Sequence, residues 1–355
     1  MTTIHDVAKL AGVSIGTVSN VINQNKKVAP DTAARVTEAI QNLNYVPNTI
    51  AKSLKTKQTH ILGILAEDIS ACFSGDIIDG ICKYSEDHDY TVKLCNLRVN
   101  HKVKHEKAFL YEELEQSVTF RKSVEKSINL LQASQVDGII YIGVHPRDVG
   151  NILPVLNVPV VYVYSYTTQD NYCVNYDDFQ GAELAVEYLI KMGHQKIALL
   201  CGSINSIPAH KRLMGYQETL MKHRLPFRPE YICAGNWHYE DGYQNSLRLL
   251  NLPEPPTAIF SMSDLMAYGA INAALDLKKN IPNDISIHGF DGLEHSAHTH
   301  PALSTINPPL REMGVKSAET LLSIINHMPP DVHNILLPCS HIIRGTVRDN
   351  SQAAP

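Results

Sequence analysis

The stretch IHDVAKLAGVSIGTVSNVIN, Ile4 to Asn23, decides how the whole chain is read. Ile4, Val7, Ala8 and Ala11 recur at i, i+3, i+4 and i+7, one apolar face of a helix. Gly12 follows them, where a residue free to adopt positive φ ends a helix. Ser14 suits the N-cap of a second helix. There Ile15, Val18, Val21 and Ile22 supply an apolar face and leave Gly16, Thr17, Ser19 and Asn20 outside. Two short helices around a glycine turn are the layout of a helix-turn-helix, whose second helix enters the DNA major groove. By shape alone the stretch also fits an ordinary helical hairpin opening a globular domain.

The segments that follow favour the first alternative. Pro30-Asp31 opens a third helix, about Asp31 to Leu43, with Ala34, Val36, Ala39, Ile40 and Leu43 apolar, which would close a mini-core over the first two. Pro47 ends it, having no donor and restraining its predecessor. In Asn48 to Thr59, Ile50, Ala51 and Leu54 share a face ringed by Lys52, Lys55 and Lys57. So short a helix is marginal alone. It is either a solvated linker or a hinge helix that orders against DNA and its twin.

Charge is divided unevenly. Residues 1–59 carry Lys9, Lys26, Lys27, Arg35, Lys52, Lys55 and Lys57 against Asp6, Asp31 and Glu38, a net +4, so a total of −5 leaves −9 on the remainder. A basic head on an acidic body suits a protein that meets phosphate at one end. The seven cysteines, Cys72, Cys82, Cys95, Cys173, Cys201, Cys233 and Cys339, are scattered and form no CxxC pair, which argues for reduced thiols rather than disulfides or zinc. His295, His298 and His300 cluster before Pro301 and read as solvated loop histidines, so no metal or cofactor is expected. No apolar run reaches membrane length and MTTIHDVAK lacks the core of a secretory signal, so a cytoplasmic location with no membrane partner is expected.

From His60 the pattern alternates. Apolar runs at HILGILAED, YTVKLCNL, VDGIIYIG and PVVYVY read as strands, with helices near Ser74 to Asp87 and Val124 to Ala133 between them. The alternation restarts with helices at Phe179 to Met192, Ala209 to His223, Tyr239 to Leu250 and Leu265 to Leu277 around strands at KIALLCG, Tyr231 to Ala234, AIFSMSD and DISIHGFDG. A helix near Leu310 to Ile325 and a strand near Ile335 to Ile343 end the chain. Two parallel α/β units facing each other make a cleft, and ligands of such sheets bind beyond the carboxyl ends of the strands. Those ends carry Glu67-Asp68, Tyr164-Ser165, Ser263-Asp264 and Asp291.

These segments, in this order, resemble the LacI/GalR family of transcriptional regulators over nearly the whole length. The match is carried by TIHDVAKLAGVSIGTVSNVIN, NYVPNTIAKSLKT, VDGII, MGHQKIALL, KRLMGY, SMSD, DISIHGFD and PALSTI. The resemblance implies an all-α helix-turn-helix head on an α/β bilobal core like periplasmic sugar-binding proteins, with two parallel-sheet subdomains. Its expected limits are 1–47 for the head, 48–59 for the hinge and 60–355 for the core, divided into 60–175 with 308–337 and 176–307 with 338–346. It implies a homodimer or tetramer on a palindromic double-stranded operator, gated by a small-molecule effector, most simply a sugar.

Roles follow by matching positions. Ile15, Gly16 and Asn20 fall on the family's base readers. Gly16 has no side chain to read with, whereas Ile15 can meet a thymine methyl and Asn20 can pair with adenine. Thr17 and Ser19 suit phosphates, or for Thr17 helix packing. Leu54 falls on a leucine that wedges into the minor groove, flanked by Ala51 and Lys55; Thr3, Ser14, Asn25 and Asn48 complete the candidate DNA-binding set. In the cleft, Arg212 falls on an arginine able to grip hydroxyls or a carboxylate, Asp291 on an acceptor for ligand hydroxyls, and Trp237 on a ring that stacks against a sugar, or else packs in the core. Asp68, Ser70, Tyr164, Ser263 and Asp264 complete the effector-binding candidates.

Three departures stand out. Ser263 occupies a position where asparagine is usual, Tyr164 one where aspartate is usual, and Val99 to Phe120 is an insertion. The first two leave open the alternative of a regulator gated by a partner phosphoprotein. No P-loop, GxSxG elbow or strand-borne GxGxxG supports an enzyme.

Overall fold

The computed structural model describes residues 2–23, 28–45, 58–106, 117–168 and 171–350, which fall into two compact units divided along the chain after His60. Asn25, Asn48, Ala51, Leu54 and Lys55, with most of the expected hinge helix, lie outside the described residues.

The small unit holds α1 (Ile4–Ala11), α2 (Ile15–Asn23) and α3 (Pro30–Asn42). Thr3 and Asp6 form a reciprocal capping box that satisfies the free N–H groups opening α1. Gly12, at φ +64°, closes the same helix by donating its N–H to the Ala8 carbonyl. Each helix contributes one fully buried valine, Val7, Val18 and Val36, and Ala8, Ala11 and Ala39 fill the space between them. Ile15 does not join this core as its place in the apolar face of α2 suggested. It is 37% exposed.

The large unit contains two six-stranded sheets. The first lobe comprises β1 (Ile61–Ala66), α4 (Ser74–Asp87), β2 (Thr91–Asn96), α5 (Val99–Glu106), α6 (Val118–Ala133), β3 (Gly138–Ile142), β4 (Val160–Val163) and β5 (Tyr172–Tyr176). The second comprises α7 (Asp178–Lys191), β6 (Ile197–Leu200), α8 (Ile207–Lys222), β7 (Ile232–Cys233), α9 (Tyr239–Leu250), β8 (Ala258–Ser261), α10 (Asp264–Asp276), β9 (Ser286–Phe290) and β10 (Ser304–Asn307). The chain then returns through α11 (Leu310–Ile325) and β11 (Asn334–Leu337) to the first lobe and finishes with β12 (Ser340–Ile342) in the second. The sheet orders are β11-β5-β4-β3-β1-β2 and β12-β10-β9-β8-β6-β7, parallel throughout except where β12 runs antiparallel to β10. The crossings after β5, β10 and β11 are three short links between the lobes. The central strands β1 and β3 are buried almost end to end, as continuous apolar runs covered by helices on both faces must be.

Three expectations need correction. Strands β5 and β10 were not anticipated, because YCVNY and STIN are short and interrupt their apolar residues with polar ones. The single tail strand is two strands in different sheets, divided at Pro338, which cannot donate to a ladder. Helix α6 begins at Val118 rather than near Val124, capped by Ser117, whose Oγ accepts from the Phe120 N–H at 3.2 Å. The inserted stretch therefore supplies α5 and the first turn of α6, with 107–116 between them outside the described residues.

Helices α4 and α11 approach backbone to backbone. A Cβ on Gly80 would lie 2.1 Å from the Arg311 carbonyl, and one on Gly314 would lie 2.1 Å from the Ile77 carbonyl. Neither helix can retreat without opening the apolar layer beneath it, which includes Ile77, Ile81, Met313 and Leu321. Gly314→Ala is therefore expected to destabilise the core by about 1–3 kcal/mol through overpacking. Urea unfolding of the full chain monitored by circular dichroism checks this; unchanged stability would show that the helices separate freely.

Candidate functional sites

On the head, the exposed surface of the second helix begins at its N-terminus. Ser14 caps α2 by accepting from the Thr17 N–H at 3.1 Å, and its hydroxyl lies 3.0 Å from that of Thr17. Ser14, Ile15 and Gly16 are exposed, while Thr17, Ser19 and Asn20 are half-buried. A Cβ at Gly16 would meet nothing nearer than the Ser14 hydroxyl at 3.7 Å, so packing within the head does not require glycine there. Thr3 is occupied by its capping role, donating to Asp6 at 2.7 Å.

The second site lies between the lobes of the core, at the carboxyl ends of β4, β5, β8 and β9. Arg212, one turn into α8, is 2% exposed. Its Nε donates to Asp178 Oδ1 at 2.8 Å, one terminal nitrogen donates to the Tyr176 hydroxyl at 2.9 Å, and the other donates to the Met262 carbonyl and stands 3.8 Å from Asp291. The guanidinium carbon lies 3.6 Å from the Phe290 ring centroid and 5.5 Å from that of Trp237, within cation–π range. Burial opposes the Arg212 charge, but Tyr176, Asp178 and Asp291 together raise its affinity for the proton above the ordinary value.

Aromatic rings extend this cluster across both lobes. Phe73 lies 4.4 Å from Tyr164, Tyr164 lies 5.6 Å from Tyr176, and Tyr176 lies 6.3 Å from Phe290. The Tyr164 and Tyr176 hydroxyls are 3.2 Å apart, and burial pushes both well above the usual phenol range. On the far side, His145 of the first lobe meets Trp237 of the second edge-on at 6.4 Å. Burial, then Arg147 and Arg212, pushes the His145 pKa down to about 4, so it is a neutral imidazole at neutral pH. The Trp237 ring rests on the backbone of Gly202, where a Cβ would come within 2.1 Å of it. Tyr164, Trp237 and Asp291 have φ values of +51°, +72° and +119°. Such conformations cost non-glycine residues of order 1–3 kcal/mol and gather at functional sites.

Of the sequence candidates, Arg212, Trp237, Asp291 and Tyr164 come together here. Asp68, Ser70, Ser263 and Asp264 make hydrogen bonds that hold loops. Asp68 accepts from the backbone and hydroxyl of Ser70 and from the Asn100 N–H at 2.6–2.9 Å. Ser263 caps α10 by accepting from the Met266 N–H. Asp264, fully buried, accepts from Leu293 N, Ser296 Oγ and Thr305 Oγ1 and so anchors the loop after Asp291. Asp178, Tyr176, His145, Phe73 and Phe290 join the site without having been anticipated. Asp178 in the sequence is one of two acids opening a helix, and only the fold sets it against Arg212. Glu67 is likewise structural: buried at the end of β1, it accepts both terminal nitrogens of Arg147 at 2.8 and 2.9 Å and holds the loop that carries His145.

Burial pushes the Asp291 carboxyl up, Arg212 pulls it back, and Asp264 raises it again; burial likewise raises Asp264. A raised carboxyl pKa means that the folded state holds its proton more firmly than the unfolded one, so this contribution is complete below the ordinary carboxylate range and is lost as pH rises through the raised value. Asp291→Asn removes that loss at its own position. The melting temperature of the variant is expected to gain on the wild type between about pH 5 and about pH 8. Scanning calorimetry of both proteins across that range checks it; a gap that narrows as pH rises would contradict the assignment.

Comparison with known proteins covers both the head and the core. Residues 3–48 match the domain described as bacterial regulatory proteins, lacI family, and residues 186–347 match the periplasmic binding protein-like domain. The HTH-type transcriptional repressor PurR of Haemophilus influenzae (strain PittEE) is 32% identical over 329 residues, 92% of each chain. The probable HTH-type transcriptional repressor ExuR of Bacillus subtilis (strain 168) is 34% identical over 356 residues, 98% of this chain and 99% of its own. Among solved structures, the lac repressor dimer bound to operator and the anti-inducer ONPF superposes with a TM-score of 0.77 at 28% identity, covering 98% and 99% of the two chains. A CelR–cellobiose complex superposes with a TM-score of 0.65 at 25% identity, covering 98% and 100%. With a helix-turn-helix head, a two-lobed core and relatives of this kind along its full length, the chain belongs to the LacI family of DNA-binding transcriptional repressors.

Proposed function

We propose that the protein binds a palindromic operator as a homodimer and releases or grips it in response to a sugar or sugar derivative held between the lobes. The observation that carries the effector class is the arrangement around Arg212. A guanidinium with N–H groups to spare, the Asp291 carboxyl 3.8 Å from it and the Trp237 ring 5.5 Å from it offer a donor, an acceptor and an apolar face together. A pyranose presents the complementary set, hydroxyls around its rim and C–H groups on its face. The relative solved with cellobiose supports this class, and the solved dimer on its operator supports the assembly. Because the site draws residues from both lobes, a ligand bound there favours one lobe arrangement over others. In a dimer that shifts the spacing of the paired heads, and DNA affinity follows by linkage.

Trp237 is the sole tryptophan in the chain, so its fluorescence reports directly on the cleft. Titration of the full-length protein with a panel of aldoses, disaccharides and sugar acids is expected to change that emission for at least one compound. The same compound should raise the melting temperature by mass action. Trp237→Ala should weaken that compound about tenfold or more, the scale of a lost stacking face, while sugar-free operator binding persists. If no sugar in the panel alters emission or melting, the effector is of another class.

For DNA, we assign base contact to Ile15 and Asn20, phosphate contact to Thr17 and Ser19, and the minor-groove wedge to Leu54. With Gly16 offering no side chain, methyl contact at Ile15 and intercalation at Leu54 carry much of the specificity. Leu54→Ala is expected to weaken binding to the operator far more than binding to random duplex of equal length, because an apolar wedge contributes where bending is matched to sequence. Gel-shift or anisotropy titrations at fixed salt test this; equal losses on the two duplexes would remove Leu54 from a specific role.

A further inference from the structure

Beside the Arg212 cluster lies a second chamber between the lobes, a cavity of about 340 Å³, within the size range of small-molecule sites. Tyr164, Tyr176 and Asp178 border it, but Arg212, Trp237, Phe290 and Asp291 do not line it. Its first-lobe wall includes Tyr166, Asn175 and Ile335, and its second-lobe wall includes Ile207 and Lys211. Ile207 and Lys211 are one helical turn apart on α8 and so share a face, whereas the neighbouring Arg212 reaches the cleft.

The polar groups here are specific. The Asn175 Nδ2 donates to the Ser165 carbonyl at 2.9 Å, which fixes the orientation of the amide and leaves Oδ1 buried with no hydrogen-bond partner. Buried polar atoms in native proteins are rarely left so. Lys211 forms no ion pair among the described residues; burial raises the pKa of the nearby Asp178 carboxyl, and Arg212 and then Lys211 pull it partly back. The chamber thus offers two acceptors, Asn175 Oδ1 and Asp178, one cation, Lys211, and apolar walls from Ile207, Ile335 and Tyr166.

We propose that this chamber is a second ligand site, distinct from the sugar cleft, that takes a small zwitterion with an apolar body, namely a free α-amino acid with a hydrophobic side chain. The ammonium donates to Asn175 Oδ1 and the Asp178 carboxylate, the carboxylate meets Lys211, and the side chain lies against the isoleucines. Because the walls come from both lobes, such a ligand adds a second influence on lobe arrangement.

Isothermal titration calorimetry of the full-length protein with L-leucine and L-phenylalanine tests this, alongside 4-methylpentanoate, which lacks the ammonium, and 3-methylbutylamine, which lacks the carboxylate. At least one amino acid is expected to bind, each leucine analogue to bind about tenfold or more weakly than leucine, and Lys211→Met and Asn175→Ala to weaken the amino acid by a similar factor, the scale of a lost charge-assisted contact. The titration uses no sugar and reads heat rather than Trp237 emission, so failure of the sugar assignment would not mimic failure here. Absence of heat with both amino acids at about 10 mM, or undiminished binding in both chamber variants, would overturn the proposal.

Discussion

The buried guanidinium of Arg212 is the constraint on which the cleft depends. A charge 2% exposed costs several kcal/mol unless its surroundings replace water. Here Asp178, the Met262 carbonyl and the Tyr176 hydroxyl each take one of its N–H groups, and Phe290 and Trp237 cover its faces. These partners are not interchangeable. Tyr176 is the last residue of β5 and Asp178 the first of α7, so the guanidinium grips the chain on both sides of its first passage between lobes. A ligand that drew on Arg212 would therefore engage the network that ties this link to both lobes.

Strain accompanies that grip. Tyr164, Trp237 and Asp291 all stand at positive φ, conformations that unsupported residues abandon. The support is visible at Asp291. Its N–H donates to the Ile306 carbonyl at 2.9 Å, its carboxylate accepts weakly from the Asp264 N–H at 3.4 Å, and the loop that follows is pinned by the Asp264 side chain. Asp264 thus contributes to the site without facing it, as Asp68 does in the opposite lobe and Glu67 does through Arg147. Carboxylates at strand ends here do two kinds of work, and their degree of internal hydrogen bonding separates them.

That distinction marks what could be read from the sequence. The head was legible because its information is local: a period of 3.6, a glycine at the turn and a hydroxyl cap at Ser14. The alternation of apolar runs and amphipathic helices gave the two α/β units, and position matching gave Arg212, Trp237 and Asp291. Strands β5 and β10 were missed because four or five residues with serine, threonine or asparagine among them carry no usable period. Asp178 and His145 were missed because their significance is a distance to something remote in sequence. Asp264 drew attention for its charge, whereas its acceptors are filled by Leu293, Ser296 and Thr305, a fact only the tertiary fold supplies. Ile15 makes the converse point, being apolar by pattern yet exposed because Val18 already fills the helix interface.

The charge division bears on how an effector could act. The head and hinge carry +4 and the remainder −9, so a duplex is attracted by the head and repelled by the rest of the chain. A neutral sugar enclosed between the lobes alters neither number, and any non-specific attraction of the heads for phosphate stays much as it was. What it can alter is geometry. In the proposed dimer, two heads reading half-sites one helical turn apart would have to arrive at a fixed spacing, and short-range contacts such as the proposed methyl contact at Ile15 would fall away steeply when that spacing is wrong. Under the proposed function, such an effector would act chiefly on specific binding, lowering or raising the preference for the operator over other DNA while leaving non-specific attraction in place.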